Sequence, residues 1–131
     1  MAGRYLLDSN IVIALFAADP GIQEHLSAAP EVFVSAVTIG ELRYGAEQSK
    51  RREENLARIE EFARSVVKLP IDFTTASHYG EIKARLRSKG RPLPENDIWI
   101  AAVAAQHDMT LVSRDAHFHE IDALPLETWV N

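Results

Sequence analysis

Asp8, Glu41, Asp97 and Asp115 are far apart along the chain, yet each stands where an apolar run meets a helix start. Asp8 follows Tyr5-Leu6-Leu7, and Glu41 lies in the helix after Val32-Phe33-Val34-Ser35. Asp97 opens the apolar helix from Ile98 to Ala105, and Asp115 follows Leu111-Val112-Ser113. In an open parallel α/β sheet such junctions gather at one edge, so the four carboxylates are expected to converge. Crowded carboxylates raise one another's pKa and cannot all stay ionised in a dry site without a cation. An all-oxygen donor set points to a hard divalent ion, Mg2+ or Mn2+, rather than zinc.

Each acid also has an ordinary explanation. Asp8 is a preferred helix cap, and Thr38-x-x-Glu41 has the spacing of a capping box. Asp97 sits in a first helical turn, where the dipole favours negative charge, and Asp115 suits a loop. Their joint placement is what argues for a site. Ser9 and Ser113, neighbours of this set, are expected to hydrogen-bond the carboxylates and fix their direction.

The elements that must position these residues alternate. Strands are predicted at Tyr5 to Leu7, Val32 to Ser35, Val66 to Leu69 and Leu111 to Ser113, with a fifth edge strand at Leu126 to Thr128. Helices are predicted from Ile11 to Phe16, with Ser9 or Asn10 as cap, and from Ile22 to Ala29, Thr38 to Glu47 and Arg51 to Val67. Two more follow from Thr75 to Ser88 and from Asn96, as cap, through Ala105. Strands alternating with helices specify an α/β domain with a mainly parallel sheet of four to five strands. The 131 residues fit one domain with a core of its own.

There is no cysteine, which excludes a thiol nucleophile, a thiolate zinc site and disulfides, and suits a reducing cytoplasm. The apolar stretch from Ile98 to Ala105 is far short of the roughly 20 residues that span a bilayer, so no membrane partner is expected. A formal charge of −5 argues at first against nucleic acid. Four carboxylates set against a metal leave the remainder near neutral, however, and Lys83, Arg85, Arg87, Lys89 and Arg91 are bunched. Lys83, Arg85 and Arg87 are candidate RNA contacts. At 100° per residue Lys83 and Arg87 share one helix side while Arg85 and Lys89 share another, so they do not all meet one strand.

The runs Leu6-Leu7-Asp8-Ser9-Asn10, Ser35-Ala36-Val37-Thr38-Ile39-Gly40-Glu41-Leu42-Arg43-Tyr44-Gly45, Asn96-Asp97-Ile98-Trp99-Ile100-Ala101-Ala102 and Leu111-Val112-Ser113-Arg114-Asp115-Ala116-His117-Phe118 resemble the motifs of PIN-domain ribonucleases. More narrowly the chain resembles VapC toxins of bacterial toxin–antitoxin pairs, over nearly its whole length. The resemblance implies a PIN-like three-layer α/β/α sandwich. It also implies that Asp8, Glu41, Asp97 and Asp115 form the Mg2+ site of a selective endoribonuclease, with transfer RNA as a target class. A homodimer and a cognate VapB-type antitoxin that blocks the site follow from the same resemblance. The family commonly carries Thr where this chain has Ser9 and Ser113, and the hydroxyl is kept. Whether Glu41 ligates directly or orients water as a base stays open at this level.

Other constellations point elsewhere less well. A phosphatase of the haloacid dehalogenase type needs a second acid two residues after the first, and position 10 is Asn10. A receiver domain needs an acidic pair near the first strand and a phospho-accepting Asp after the third, a role for which Asp72 is poorly supported. A PIN-like RNA-binding module without catalysis has no need of the full acidic set. His117-Phe118-His119 offers two imidazoles without a third nitrogen or sulfur ligand, so no zinc role is expected. Trp99, within an apolar helix, is expected in the core.

Overall fold

The computed structural model describes residues 3–130 and contains five parallel strands. These are β1 (Arg4–Leu7), β2 (Glu31–Ser35), β3 (Val67–Leu69), β4 (Thr110–Val112) and β5 (Leu126–Glu127), in the order β3-β2-β1-β4-β5. Six α-helices connect them: α1 (Ser9–Phe16), α2 (Pro20–Ala28), α3 (Ala36–Glu47), α4 (Arg52–Ser65), α5 (Phe73–Ser88) and α6 (Glu95–Gln106). A 3-10 turn covers Ala116–Glu120.

Side chains alternate across a strand, and here adjacent residues feed two separate cores. Leu6, Phe33 and Leu111 pack on one face with Ile82 and Leu86 of α5, the apolar positions of α6, and Phe118. Leu7, Val34 and Val112 pack on the other with Ile11 and Val12 of α1, Leu42 of α3, and Ile59 and Phe62 of α4. Burial on both faces explains why the central strands are continuous apolar runs rather than alternating ones. It also makes the molecule an α/β/α sandwich of the expected class. Ile100 to Ala104 are all fully buried, as the unbroken apolar stretch of α6 requires.

The chain lays down β1, β2 and β3 outward in one direction, then returns to place β4 on the far side of β1. Ligands of open α/β sheets bind beyond the carboxyl ends of strands at such a reversal, which here lies between β1 and β4. The Asp8 N–H donates to the Val112 carbonyl at 2.9 Å, so the two strand ends are still in register where the candidate site begins.

Most helix starts differ from expectation. Asp8, not Ser9 or Asn10, caps α1, and α2 begins at Pro20 with Asp19 as its cap, two residues before Ile22, because Pro is favoured in a first helical turn. Ser35, not Thr38, caps α3: its hydroxyl accepts the Thr38 N–H at 3.1 Å, and the Thr38 side chain is buried. Ser35-x-x-Thr38 and Thr38-x-x-Glu41 compete as start signals, and the one adjoining β2 wins. Glu41 is thereby released from a capping box into the second turn. Helix α6 starts at Glu95 with Pro94 at the cap position, so Asn96 lies in the first turn and is not the cap. Helix α5 begins at Phe73, two residues before Thr75, and is opened by a capping box. There Asp72 accepts the Thr75 N–H and Thr75 accepts the Asp72 N–H, each at 3.1 Å. Its other end closes with Gly90 at φ +66, the Gly90 N–H bonding the Arg87 carbonyl and the Arg91 N–H that of Leu86. That left-handed residue turns the chain back and lets α6 run antiparallel to α5. Among the described residues no helix is long and apolar enough to cross a membrane.

Candidate active site

Asp8 is both the N-cap of α1 and the most buried acid of the molecule, with 4% of its surface exposed. One carboxylate oxygen accepts the Ser9 N–H at 2.8 Å. The other accepts the Ser113 hydroxyl at 2.7 Å and the Asn10 amide at 3.3 Å. Capping and site placement are therefore the same geometry at this residue. Burial raises the Asp8 pKa against the pull of these hydrogen bonds, and the nearby Asp115 charge adds to the rise.

Glu41 reaches the same edge from α3. Its Oε1 accepts the Ser9 hydroxyl at 3.2 Å and its Oε2 the Asn96 amide at 3.3 Å, so each oxygen is steered by a different helix. Burial first, and the Asp8 charge after it, push its pKa up. Asp97, in the first turn of α6, makes no cap bond and is pushed up to about 6. Burial is the main cause, followed by the charges of Asp8, Asp115 and Glu41. Asp115 caps the 3-10 turn, accepting the His117 N–H at 2.9 Å. The four carboxylates thus converge closely enough for each to be felt by another, and among the described residues no lysine or arginine forms an ion pair with any of them.

Ser9 and Ser113 stand where they steer this cluster, on Glu41 and Asp8 respectively. The Ser113 hydroxyl also accepts the Asn10 amide at 3.2 Å and the Asp115 N–H at 3.1 Å, joining the ends of β1 and β4. Asn10 completes the joint by accepting the Arg114 N–H at 3.2 Å. Arg114 itself is clamped to Asp19 at 2.9 Å and to the Trp129 carbonyl, which holds the loop from outside. Two asparagines read from sequence as possible caps, Asn10 and Asn96, are instead side-chain donors to the acids. The signal available for this was their position beside Asp8 and Asp97, not their cap propensity.

His117 was not expected here at all. Its Nδ1 lies 3.1 Å from Asp115 Oδ1, and donor atoms of Asp97, Asp115 and His117 all fall within 4.8 Å of one another. Its partners are the acids, and His119 lies outside the group.

The basic residues separate as the helical angle requires. Lys83 and Arg87 flank a cavity of about 300 Å³ with Leu86, Pro92, Leu93 and Ile98. Arg85 lies on another cavity, with Ala105, Asp108 and Asp122. Lys83 is paired with Glu95 at 2.5 Å, and its head lies over the Tyr79 ring. Lys89 is held by Asp122 and the Glu120 carbonyl. Trp99 is not in the core: it is half-buried, stacked on Tyr79 with centroids 3.9 Å apart, two residues from Asp97. A groove of about 370 Å³ opens beside Ser9 and Glu41 between α1, α3 and α4, lined by Ile13, Phe16, Leu42 and Ile59.

An all-parallel α/β/α sheet carrying four acids beyond its β1–β4 reversal is the arrangement of a PIN domain, and the family model described as PIN domain matches residues 5–124. The chain is similar to the ribonuclease VapC2 of Haemophilus influenzae, 41% identical over 97% of this chain and 98% of that protein. It is 34% identical to the tRNA(fMet)-specific endonuclease VapC of Shigella flexneri, over 96% of this chain and 98% of that one. Among solved structures, DNA-bound VapBC from Salmonella typhimurium matches with a TM-score of 0.89 at 30% identity, covering 97% of this chain and 98% of that one. The chain belongs to the PIN-domain family, among its VapC ribonucleases.

Proposed function

We propose that this chain is a divalent-metal-dependent endoribonuclease, the toxin of a toxin–antitoxin pair, which hydrolyses RNA at the centre formed by Asp8, Glu41, Asp97 and Asp115. The observation that carries the reading is the convergence of four carboxylates with no lysine or arginine paired to them among the described residues. The donor set fits a hard cation: the ligands are oxygens, partly buried, and burial and neighbouring charges raise the pKa values of Asp8, Glu41 and Asp97. Asp97 and Asp115, with Asp8 beside them, would hold Mg2+, for which Mn2+ substitutes. When bound, such an ion polarises a phosphate oxygen and makes a water more acidic.

The chain's own groups do the remaining work. Ser113 and the Ser9 N–H hold the Asp8 carboxylate in one orientation, and Asn10 ties that orientation to the loop bearing Asp115. Glu41 stands outside the closest donor group, with its two oxygens each engaged once, by Ser9 and Asn96. It retains lone pairs to orient the attacking water and accept its proton, and its raised pKa suits a base. With water as nucleophile the 2′-hydroxyl of RNA is not consumed, and the products carry 5′-phosphate and 3′-hydroxyl ends.

Relatives named as tRNA-specific support transfer RNA as the target class, and the VapBC complexes among the structural matches support a VapB-type antitoxin; the homodimer rests on the family resemblance alone. The apolar groove beside Ser9 and Glu41 offers a protein partner a way to cover the site. The experiment that tests the reading is incubation of purified protein with total RNA in Mg2+, Mn2+ or EDTA, beside small phosphomonoesters. Metal-dependent RNA cleavage without phosphate release is expected.

Lys83 and Arg87, on one side of α5 and next to the α6 terminus that carries Asp97, are proposed as RNA contacts; Arg85 faces elsewhere. The Lys83–Glu95 pair discounts the first of these, leaving Arg87 as the main contributor. Replacing both by Ala is expected to lower the slope of log binding against log salt by about 1. An identical slope in mutant and parent would return both residues to a solvated helix face.

A further inference from the structure

We infer that His117 is a nitrogen ligand of the acidic centre and that it biases the site toward Mn2+ over Mg2+. The inference rests on the metal-dependent reading above. It goes beyond that reading because it adds a donor of a different chemical kind from the four carboxylates.

The geometry that points to it is local and fixed. Asp115 Oδ1 accepts the His117 N–H at 2.9 Å and lies 3.1 Å from the imidazole Nδ1, so one short 3-10 turn sets both side chains against each other. Phe118, the next residue, is fully buried and pins that turn to the core. Donor atoms of Asp97, Asp115 and His117 then fall within 4.8 Å of one another, across two separate elements. Adjacent donors on one ion, with bonds of about 2.1 Å at right angles, are about 3 Å apart. The Asp115–His117 spacing is therefore what two neighbouring ligands require, as well as what a hydrogen bond requires. The imidazole is 63% exposed, which leaves it free of any packing duty. His119, across buried Phe118, takes no part in the group.

The consequence is selectivity. Mg2+ demands oxygen ligands and gives up its waters reluctantly, whereas transition ions gain affinity from an imidazole. If His117 instead only holds Asp115 by a hydrogen bond, its removal weakens both ions alike.

Parent, His117→Ala and Asp97→Asn proteins would be titrated calorimetrically with Mn2+ and with Mg2+, and the Mn2+-loaded proteins examined by pulsed EPR. The expected parent spectrum carries 14N coupling from a directly bound imidazole, and His117→Ala loses it. The same variant should weaken Mn2+ by about tenfold or more while changing Mg2+ by less than about threefold. Absence of 14N coupling in the parent, or an unchanged Mn2+ to Mg2+ ratio in His117→Ala, overturns the inference. If Asp97→Asn abolishes binding of both ions in that case, the acidic centre stands without His117. If the parent binds neither ion, the centre itself fails and the inference with it.

Discussion

Asp97→Asn is expected to abolish RNA cleavage, by orders of magnitude, and to leave the metal-free protein at least as stable as the parent. Asn matches Asp in size, and Asp97 makes no cap hydrogen bond that the change would break. What it removes is a charge held in a half-buried position against three other carboxylates, where the pKa has risen to about 6. At pH 7 that charge is a cost to the folded state, so its loss should stabilise the apoprotein by about 1 kcal/mol after allowing for solvent screening. An Asp serving only the helix dipole behaves oppositely, and its removal costs about 0.3–1 kcal/mol. As a metal-holding residue it has a second signature, since the neutral variant loses the transition-state charge stabilisation a bound cation supplies. Melting in EDTA at pH 7, beside RNA cleavage in Mn2+, measures both. A variant that cleaves like the parent, or that melts lower in EDTA, contradicts the assignment.

The second large effect is on stability. The folded pKa of Asp97, about 6, lies above its ordinary 3.8, and Asp8 and Glu41 are shifted in the same direction. The folded apoprotein therefore binds more protons than the unfolded chain between about pH 4 and 6, and its stability falls as pH rises through that window. Asp19 works the other way. Arg114 holds its pKa at about 2, so its contribution is present above pH 3.8 and is lost only in stronger acid. Glu47, Asp72 and Glu95, held down by hydrogen bonds to Arg52, Thr75 and Lys83, act in the same sense as Asp19, and their contributions are lost as pH falls below the ordinary carboxylate range. Metal reverses the loss at neutral pH: saturation at about 100 times Kd adds about 2.7 kcal/mol, which for a chain of this length raises Tm by roughly 10 °C. The gain shrinks below about pH 6 as protons compete for the same oxygens. Thermal melts at pH 4 to 8, with EDTA and with Mn2+, would show it. Apoprotein stability that climbs from pH 4 to 7, or a midpoint indifferent to metal, goes against the account.

The placement of Asp8, Glu41, Asp97 and Asp115 was legible because strand ends and helix starts have patterns of their own, and a parallel sheet brings those ends to one edge. The sheet was legible for the same reason, since apolar runs such as Leu111-Val112 have few alternatives to burial on both faces. Helix boundaries were less so. Ser35 and Thr38 both carry cap signals three residues before a suitable partner, and only the end of β2 decides between them. His117 was illegible because its neighbours are made by a 3-10 turn and by the first turn of α6, residues that local periodicity does not bring together. Trp99 departs from the core position its apolar surroundings predict because α6 is not buried on every side. Near its N-terminus α6 has a half-buried side, where Trp99 stacks on Tyr79.

The most direct measurement is the chemistry of the ends produced when the parent protein cleaves a defined single-stranded RNA in Mg2+ or Mn2+. Water activated at the acidic centre leaves 5′-phosphate and 3′-hydroxyl termini, and EDTA stops the reaction. Cleavage that survives EDTA, or that leaves 2′,3′-cyclic phosphate and 5′-hydroxyl termini, would mean that the RNA's own 2′-hydroxyl is the nucleophile and that the four carboxylates do not form the catalytic centre.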